Sequence, residues 1–304
     1  NVSDLILAGV ANHRPMTRPD LEKKLGREVL ALRAEVLGPG SIDYAASARD
    51  LAIWLRDAGR YEEALPLIVF HYETTAKISG EGSPQTVAAL ARVVDFALVE
   101  GDVSTRARYG PKLRAGVTTV PEDHPRFEYV LGVMSLLTRH EGDAAASLEF
   151  GERRVAWLTE RAGARSPDTA LAVSNVGTAL LALGRPQEAR LRLREALAIL
   201  DADRTVSPLD YEFLVLPLAQ AELELGERES ARGRLLSLLG HEEIPRRPRL
   251  HAEIEILLAE TSDDPEERRR RAAVAFALIE SGRAPRSLLV DVEPLRSAGG
   301  LEPA

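Results

Sequence analysis

The stretch "GRYEEA" (Gly59–Ala64) reads as a corner between two helices, and the chain writes it again as "GRPQEA" (Gly184–Ala189) and "GERESA" (Gly226–Ala231). Glycine is the residue for which the left-handed backbone that closes a helix costs least. The polar residues after it suit the exposed first turn of a following helix, and the small residue five places on permits close packing. Glycines before a polar residue stand at Gly59, Gly101, Gly142, Gly184 and Gly226, with spacings of 42, 41, 42 and 42. Prolines at Pro84, Pro125, Pro167, Pro208 and Pro248 keep the same beat, at 41, 42, 41 and 40. Two independent sets of breakers in one period make the chain a repeat protein.

Each period predicts two helices. Leu51, Val93, Met134, Val176 and Leu218 stand eight residues before the glycines, and Ala48, Leu90, Leu131, Val173 and Val215 stand eleven before. Positions three apart share a helix face, so these ten residues are the expected buried stripe of the first helices. Five residues after the glycine come Ala64, Ser147, Ala189 and Ala231, where a second helix packs on the first. Arg106 breaks that rule, and Gly110-Pro111 predicts a kinked or shortened second helix in its unit.

These residues resemble the tetratricopeptide repeat, in the long-loop variety of kinesin light chains. The resemblance is carried by "LRDAGRYEEALPL" (Leu55–Leu67), "LALGRPQEA" (Leu181–Ala189) and "REVLALRAEVLGPGS" (Arg27–Ser41), with loops such as "GEGSPQT" (Gly80–Thr86) and "EDHP" (Glu122–Pro125). It implies an all-α fold, a right-handed superhelical α-solenoid of tandem helix-turn-helix units. Extending the phase divides residues 1–304 into one solenoid: a partial repeat at 1–38, repeats at 43–80, 85–117, 125–162, 167–202 and 208–240, a last repeat at 249–282 and a capping tail at 283–304. In the partial repeat, helices are expected near Ser3–Asn12 and from Pro19 to about Leu37. In the last repeat they are expected at Arg249–Glu260 and Glu266–Ser281, the second capped by Asp263 or Asp264 with Pro265 at its first position.

Composition narrows the chemistry. Of 304 residues, 45% are hydrophobic and 28% charged, as in a folded soluble chain. The net charge of −8 gives no general attraction to nucleic acid or anionic membrane. There is no cysteine, which excludes disulfides and thiolate chemistry and suits a cytoplasmic location. No apolar run approaches the roughly 18–20 residues of a membrane helix. Arginine outnumbers lysine by 35 to 4, which fits a GC-rich bacterial genome. The first residue, Asn1, reads as a start inside a longer protein.

No catalytic, metal or cofactor motif emerges. "HEEIP" (His241–Pro245) begins like a zinc-protease helix but has Pro245 where the second histidine belongs, and no two of the six histidines fall at i, i+4. "GEGSP" and "LGPGS" lack the further glycine and lysine of a phosphate loop. The run "EERRRR" (Glu266–Arg271) is read as a solvated helix face with Glu266 and Glu267 paired to Arg270 and Arg271. Trp54 and Trp157, at helical positions among Leu and Ala, read as packing residues.

The resemblance also implies where a partner sits: on an inner wall made by first helices, at positions three, six, nine and ten before the glycine. The polar candidates there are Arg49, Asp50 and Arg56, with Ile53, in the first full unit, then Arg92 and Asp95, Arg139, Asn175 and Thr178, and Gln220. Ala91, Leu98, Gly132, Val133, Leu136, Ser174, Leu181, Leu216, Pro217 and Leu223 fill the remaining wall positions. Only Asn175 matches the asparagine that related grooves place nine before the glycine to pair with a ligand backbone. The resulting expectation is a protein- or peptide-binding module, not an enzyme, with no cofactor, nucleic acid or membrane among its partners. The alternative is a sensor whose groove takes a small peptide or metabolite and changes shape. A last repeat containing "PEERRRRA" is also similar to the C-terminal regions of some bacterial multidomain Ser/Thr kinases.

Overall fold

The computed structural model describes residues 18–38, 40–57, 60–202, 212–281, 284 and 288–297. The expected helix at Ser3–Asn12 and the markers Gly59 and Pro208 lie outside these residues. The described residues form α-helices and two 3-10 turns, with no strand among them. The chain divides into two compact units, Asn1–Val130 and Leu131–Ala304.

The first unit contains α1 (Arg18–Leu37), α2 (Ile42–Asp57), α3 (Tyr61–Ser79), α4 (Pro84–Glu100) and α5 (Val103–Gly116), each packed on the next. A 3-10 turn at Val117–Thr119 follows, and then the first residues of α6 (Phe127–His140). The second unit takes the rest of α6, then α7 (Ala144–Ala162), α8 (Pro167–Ala182), α9 (Pro186–Ala202), α10 (Glu212–Glu224) and α11 (Arg228–Leu239). A 3-10 turn at Ile244–Arg246 leads to α12 (Pro248–Thr261), α13 (Pro265–Glu280) and α14 (Leu289–Ser297). From α7 onward consecutive helices pack pairwise, and the first helices α8, α10 and α12 also touch in sequence.

The glycines do what their spacing predicts. Gly101, Gly142, Gly184 and Gly226 all have φ between 67° and 83°, in the left-handed region. The residue after each repeat glycine sends its N–H back to the carbonyl five residues earlier, a Schellman closure. These bonds are Arg60 to Leu55 (2.8 Å), Asp102 to Ala97 (2.8 Å), Asp143 to Thr138 (2.9 Å), Arg185 to Leu180 (2.9 Å) and Glu227 to Glu222 (2.7 Å). The residue that makes this bond also opens the second helix. Asp102 and Asp143 accept from the backbone N–H of Thr105 (2.9 Å) and Ala146 (3.0 Å). Where the sequence has Gly-Arg instead, Arg60 pairs with Glu63 and Arg185 with Glu188 across the first turn.

The corners between repeats are equally stereotyped. Ser83 and Ser166 cap α4 and α8 by accepting from the N–H of Thr86 (3.2 Å) and Thr169 (3.1 Å). Pro84 and Pro167 occupy the first turn, where no intrahelical N–H is needed. Thr86 and Thr169 donate their hydroxyls to the carbonyls of Gly80 (2.8 Å) and Gly163 (2.9 Å), tying each loop to the preceding helix end. Asp264 caps α13 with Pro265 at its first position.

All ten residues of the expected stripe are buried, as are Ala64, Ser147, Ala189 and Ala231. In the second unit this apolar surface merges into one cluster running from Ala170 to Leu258. The tail covers the last repeat, with Val292 of α14 against Ile256, Ala275 and Ile279.

Three local features add to what the sequence predicts. Helix α5 is shortened as expected, at 14 residues against the 19 of α3, and it runs through Pro111 without a break. Pro111 has no N–H to offer the carbonyl of Ala107, and Ala107 stands on the exposed side of the helix. Trp54 and Trp157 are half-buried, and Trp157 carries the guanidinium of Arg161 at 4.3 Å from its ring centre. The run Glu266–Arg271 is more than a solvated face. Arg271 reaches Glu255 (3.1 Å) and Glu267 (3.4 Å), Glu267 also holds Arg232 (2.7 Å), and Arg268 donates to the carbonyl of Ser262 (2.8 Å). Arg271 thus holds α13 to α12 and Glu267 holds it to α11, while Arg269 bonds the carbonyl of Pro265 in its own helix and Arg270 is exposed.

The closure at the glycines predicts opposite signs for two similar substitutions. Gly184→Ala forces a Cβ into left-handed backbone and lowers stability by about 1–2 kcal/mol. Gly233→Ala lies on the exposed face of α11 with no atom within 4 Å and raises stability by up to about 1 kcal/mol. Urea unfolding of both variants checks this, and equal signs contradict it.

Candidate functional site

In the first unit the structure gathers most of the candidates. Arg56 on α2 and Asp95 on α4 stand 39 residues apart in sequence and pair at 3.3 Å. The hydroxyl of Tyr129 donates to the same carboxylate at 2.9 Å. Arg56 lies over the ring of Phe96 at 4.7 Å and Arg92 over Tyr129 at 4.8 Å. Burial and the Asp95 carboxylate hold the Tyr129 phenol well above its usual pKa, so it stays a donor. Arg49 forks onto the carboxylate of Asp50 at 2.7 and 2.9 Å, and Ile53 is half-buried beside them on α2.

Beside this cluster lies a pocket of about 270 Å³, to which Arg49 and Arg92 turn together with His71 of α3 and Arg126 of the loop before α6. His71 is buried and its pKa is pushed down to about 4. Burial is the main cause, followed by the positive charges of Arg49 and Arg92; Asp50 and a hydrogen bond with the backbone of Ala45 oppose the shift only in part.

In the second unit the candidates are less connected. Arg139 on α6 is largely buried, and its Nε has no hydrogen-bond partner among the described residues. Burial and the neighbouring Arg249 both disfavour its charge. The Thr178 hydroxyl is spent on its own helix, donating to the carbonyls of Ser174 (3.1 Å) and Asn175 (3.0 Å). Asn175 is half-buried, and Gln220 is exposed with its amide 3.5 Å from Glu224.

Six residues assigned to the wall by position are instead buried: Ala91, Leu98, Gly132, Val133, Leu181 and Pro217. The reason is plain in the second unit, where adjacent first helices pack on one another and take these positions into the core. Four residues of the first-unit site were not anticipated: Tyr129, His71, His124 and Arg126. Tyr129 stands thirteen before Gly142, and its counterpart Ala88, thirteen before Gly101, lines the pocket, so the period held a signal for that position. His124 and Arg126 flank Pro125, itself a phase marker.

The opposite face also differs from expectation. The charges of "EARLRLREAL" (Glu188–Leu197) suit a solvated face, yet Arg194 reaches Glu222 at 2.8 Å, and Glu222 is fully buried. Arg234 holds the same carboxylate at 3.2 Å, while Arg190 and Arg194 both pair with Glu227. A buried carboxylate must keep its cations, so these arginines are structural.

Residues 130–202 match a family model for the tetratricopeptide repeat, and residues 45–68 match a second model of the same description. Residues 45–68 and 130–202 carry tetratricopeptide repeats. Among solved structures it is similar to the nearly identical TPR-like repeats of a Podosopora anserina protein assigned to the kinesin light chains. That match has 21% identity and a TM-score of 0.49, covering 60% of this chain and 86% of the other. A second structure of those repeats gives 21% identity and a TM-score of 0.48, covering 62% and 90%. No curated protein matches the sequence. Among the described residues no group of side chains is arranged to hold a metal ion, and no helix is long and apolar enough to cross a membrane.

Arg190→Glu with Arg194→Glu, on the second-helix face, lowers stability by about 2 kcal/mol because Glu222 loses a partner while buried. An unchanged urea midpoint contradicts this. For His71, the unfolded imidazole titrates near 6.5 and the folded one near 4. Below about 6.5 the unfolded chain therefore takes up a proton that the folded chain refuses. Stability falls across that window by at most about 1.4 kcal/mol per pH unit, and this part of the slope is absent in His71→Gln. Unfolding curves at pH 7 and 4.5 for both proteins measure it.

Proposed function

We propose that this chain is a scaffold that binds a protein or peptide partner along the first-helix face of its tetratricopeptide repeats. The observation that carries the reading is the group Arg56, Arg92, Asp95 and Tyr129. Repeats spaced one period apart bring these side chains together, half-buried and bonded to one another, on first helices. A pre-organised aromatic and guanidinium surface of this kind supplies the residues that dominate binding energy at protein interfaces. The second-helix face offers less, because Arg190 and Arg194 are already committed to Glu222 and Glu227. The setting, in this reading, is a larger bacterial regulatory protein in the cytoplasm. The excess of arginine over lysine and the lack of cysteine support it. The chain itself performs no catalytic step in this reading.

Arg92→Glu with Arg139→Glu tests it. Neither arginine has an ion-pair partner among the described residues, each lost contact weakens a partner by about 2 kcal/mol, and a urea unfolding curve of the variant separates loss of contact from loss of fold. Capture of the cognate protein from the native host drops at least tenfold against wild type. It is unchanged in the exposed second-helix variant Glu149→Lys. Loss in Glu149→Lys with retention in the double variant overturns the reading.

A further inference from the structure

We propose that the first-unit pocket is a receptor for a phosphoryl group carried on the peptide partner. This rests on the reading of the first-helix face as a peptide-binding surface and names what that surface recognises.

The charge of the pocket is opposite to that of the chain. Acidic residues outnumber basic ones by 47 to 39 overall, yet the pocket is lined by Arg49, Arg92 and Arg126 with His71 and His124, and by no carboxylate. Arg49 is partly compensated by Asp50, which is 65% exposed. Arg92 and Arg126 have no ion pair among the described residues. Arginines that join helices in the second unit are matched with acids, as Arg194 is with Glu222 and Arg232 with Glu267. Cations held together without an acid are unfavourable for folding alone, which points to a site kept for a ligand.

His71 provides an independent observation. It lines the pocket at only 9% exposure, and its Nδ1 has no hydrogen-bond partner among the described residues. A buried polar nitrogen without a partner is costly and uncommon in folded proteins. Thr75 does not relieve it, since the Thr75 hydroxyl donates to the carbonyl of His71 at 2.8 Å. The depressed pKa of His71 reports the same positive field from Arg49 and Arg92.

The charge count selects the ligand. A carboxylate brings one negative charge, whereas a phosphoserine or phosphothreonine brings about −1.5 to −2 and three acceptor oxygens. Two guanidiniums without an ion pair, Arg92 stacked on Tyr129 and Arg126, and a partly compensated third match the second, and guanidinium forks suit its oxygens. The pocket is open on one side, and its apolar margin at Ile42, Ala88 and Pro125 can take residues flanking the modified one.

The test uses the full chain and acetyl-Gly-phosphoSer-Gly-amide, with the Glu analogue of that peptide and inorganic phosphate as comparison arms. With six histidines in the chain, the His71 ring signal is assignable in proton NMR by loss in His71→Gln. The phosphopeptide is expected to shift the His71 signal saturably and to move its midpoint up from about 4 towards 6.5. The Glu peptide and phosphate alone should bind at least tenfold more weakly. Arg126→Gln, at an exposed loop position, and Arg92→Gln should each weaken the phosphopeptide at least fivefold.

Absence of a saturable shift overturns the proposal, as does equal binding of the Glu peptide or unaltered binding by both arginine variants. Phosphate binding as tightly as the phosphopeptide overturns the peptide assignment in favour of a free-anion site. If the His71 signal never responds while Arg92→Glu with Arg139→Glu still loses its partner, the phosphoryl assignment falls and the scaffold reading stands.

Discussion

The bond from the N–H after each repeat glycine to the carbonyl five residues earlier is the constraint on which the rest of the structure depends. It stops the first helix at a fixed residue and sends the chain back in a left-handed step that glycine takes at least cost. Because the helix stops at a fixed place, the positions eight and eleven residues earlier always face the second helix. The small residue five places later always meets them. A corner displaced by one residue would turn that stripe by about 100° and expose it.

Side chains add a second layer of order with the same period. Tyr61 to Asp102, Arg192 to Glu152, Arg190 to Glu227 and Arg232 to Glu267 each join neighbouring repeats, between 35 and 41 residues apart. Most of these pairs are partly exposed, where an ion pair contributes little. Glu222 is different. Buried between Arg194 and Arg234, it sets the register of three successive helices, and no two of the three partners can be changed independently.

This division explains what was legible in the sequence. The corners, the stripe, the small residues and the capping of α13 by Asp264 are local or strictly periodic, and each follows from a residue and its neighbours within one turn. What escaped depends on contacts between repeats. Ala91, Val133 and Pro217 occupy positions that a repeat taken alone leaves open, and neighbouring helices bury them. The pairing of Arg194 joins residues 28 apart, and nothing in "EARLRLREAL" announces it. The pocket around His71 draws on two first helices, a second helix and a loop. Arg49, Arg56, Arg92 and Asp95 were legible as candidates because the period places them, whereas the chemistry they form with Tyr129 and His71 was not.

Amide hydrogen exchange at Asp102, Asp143, Arg185 and Glu227 measures the closing bond directly, one repeat at a time. These four amides lie just beyond a helix end, where an ordinary terminus exchanges quickly. If the closure fixes the repeat, each is protected to the level of the buried first-helix interior of its own repeat, such as Val93 or Val176. Exchange at the rate of an unstructured peptide, with the helix interiors still protected, would show that packing alone ends these helices and that the glycine closure is incidental.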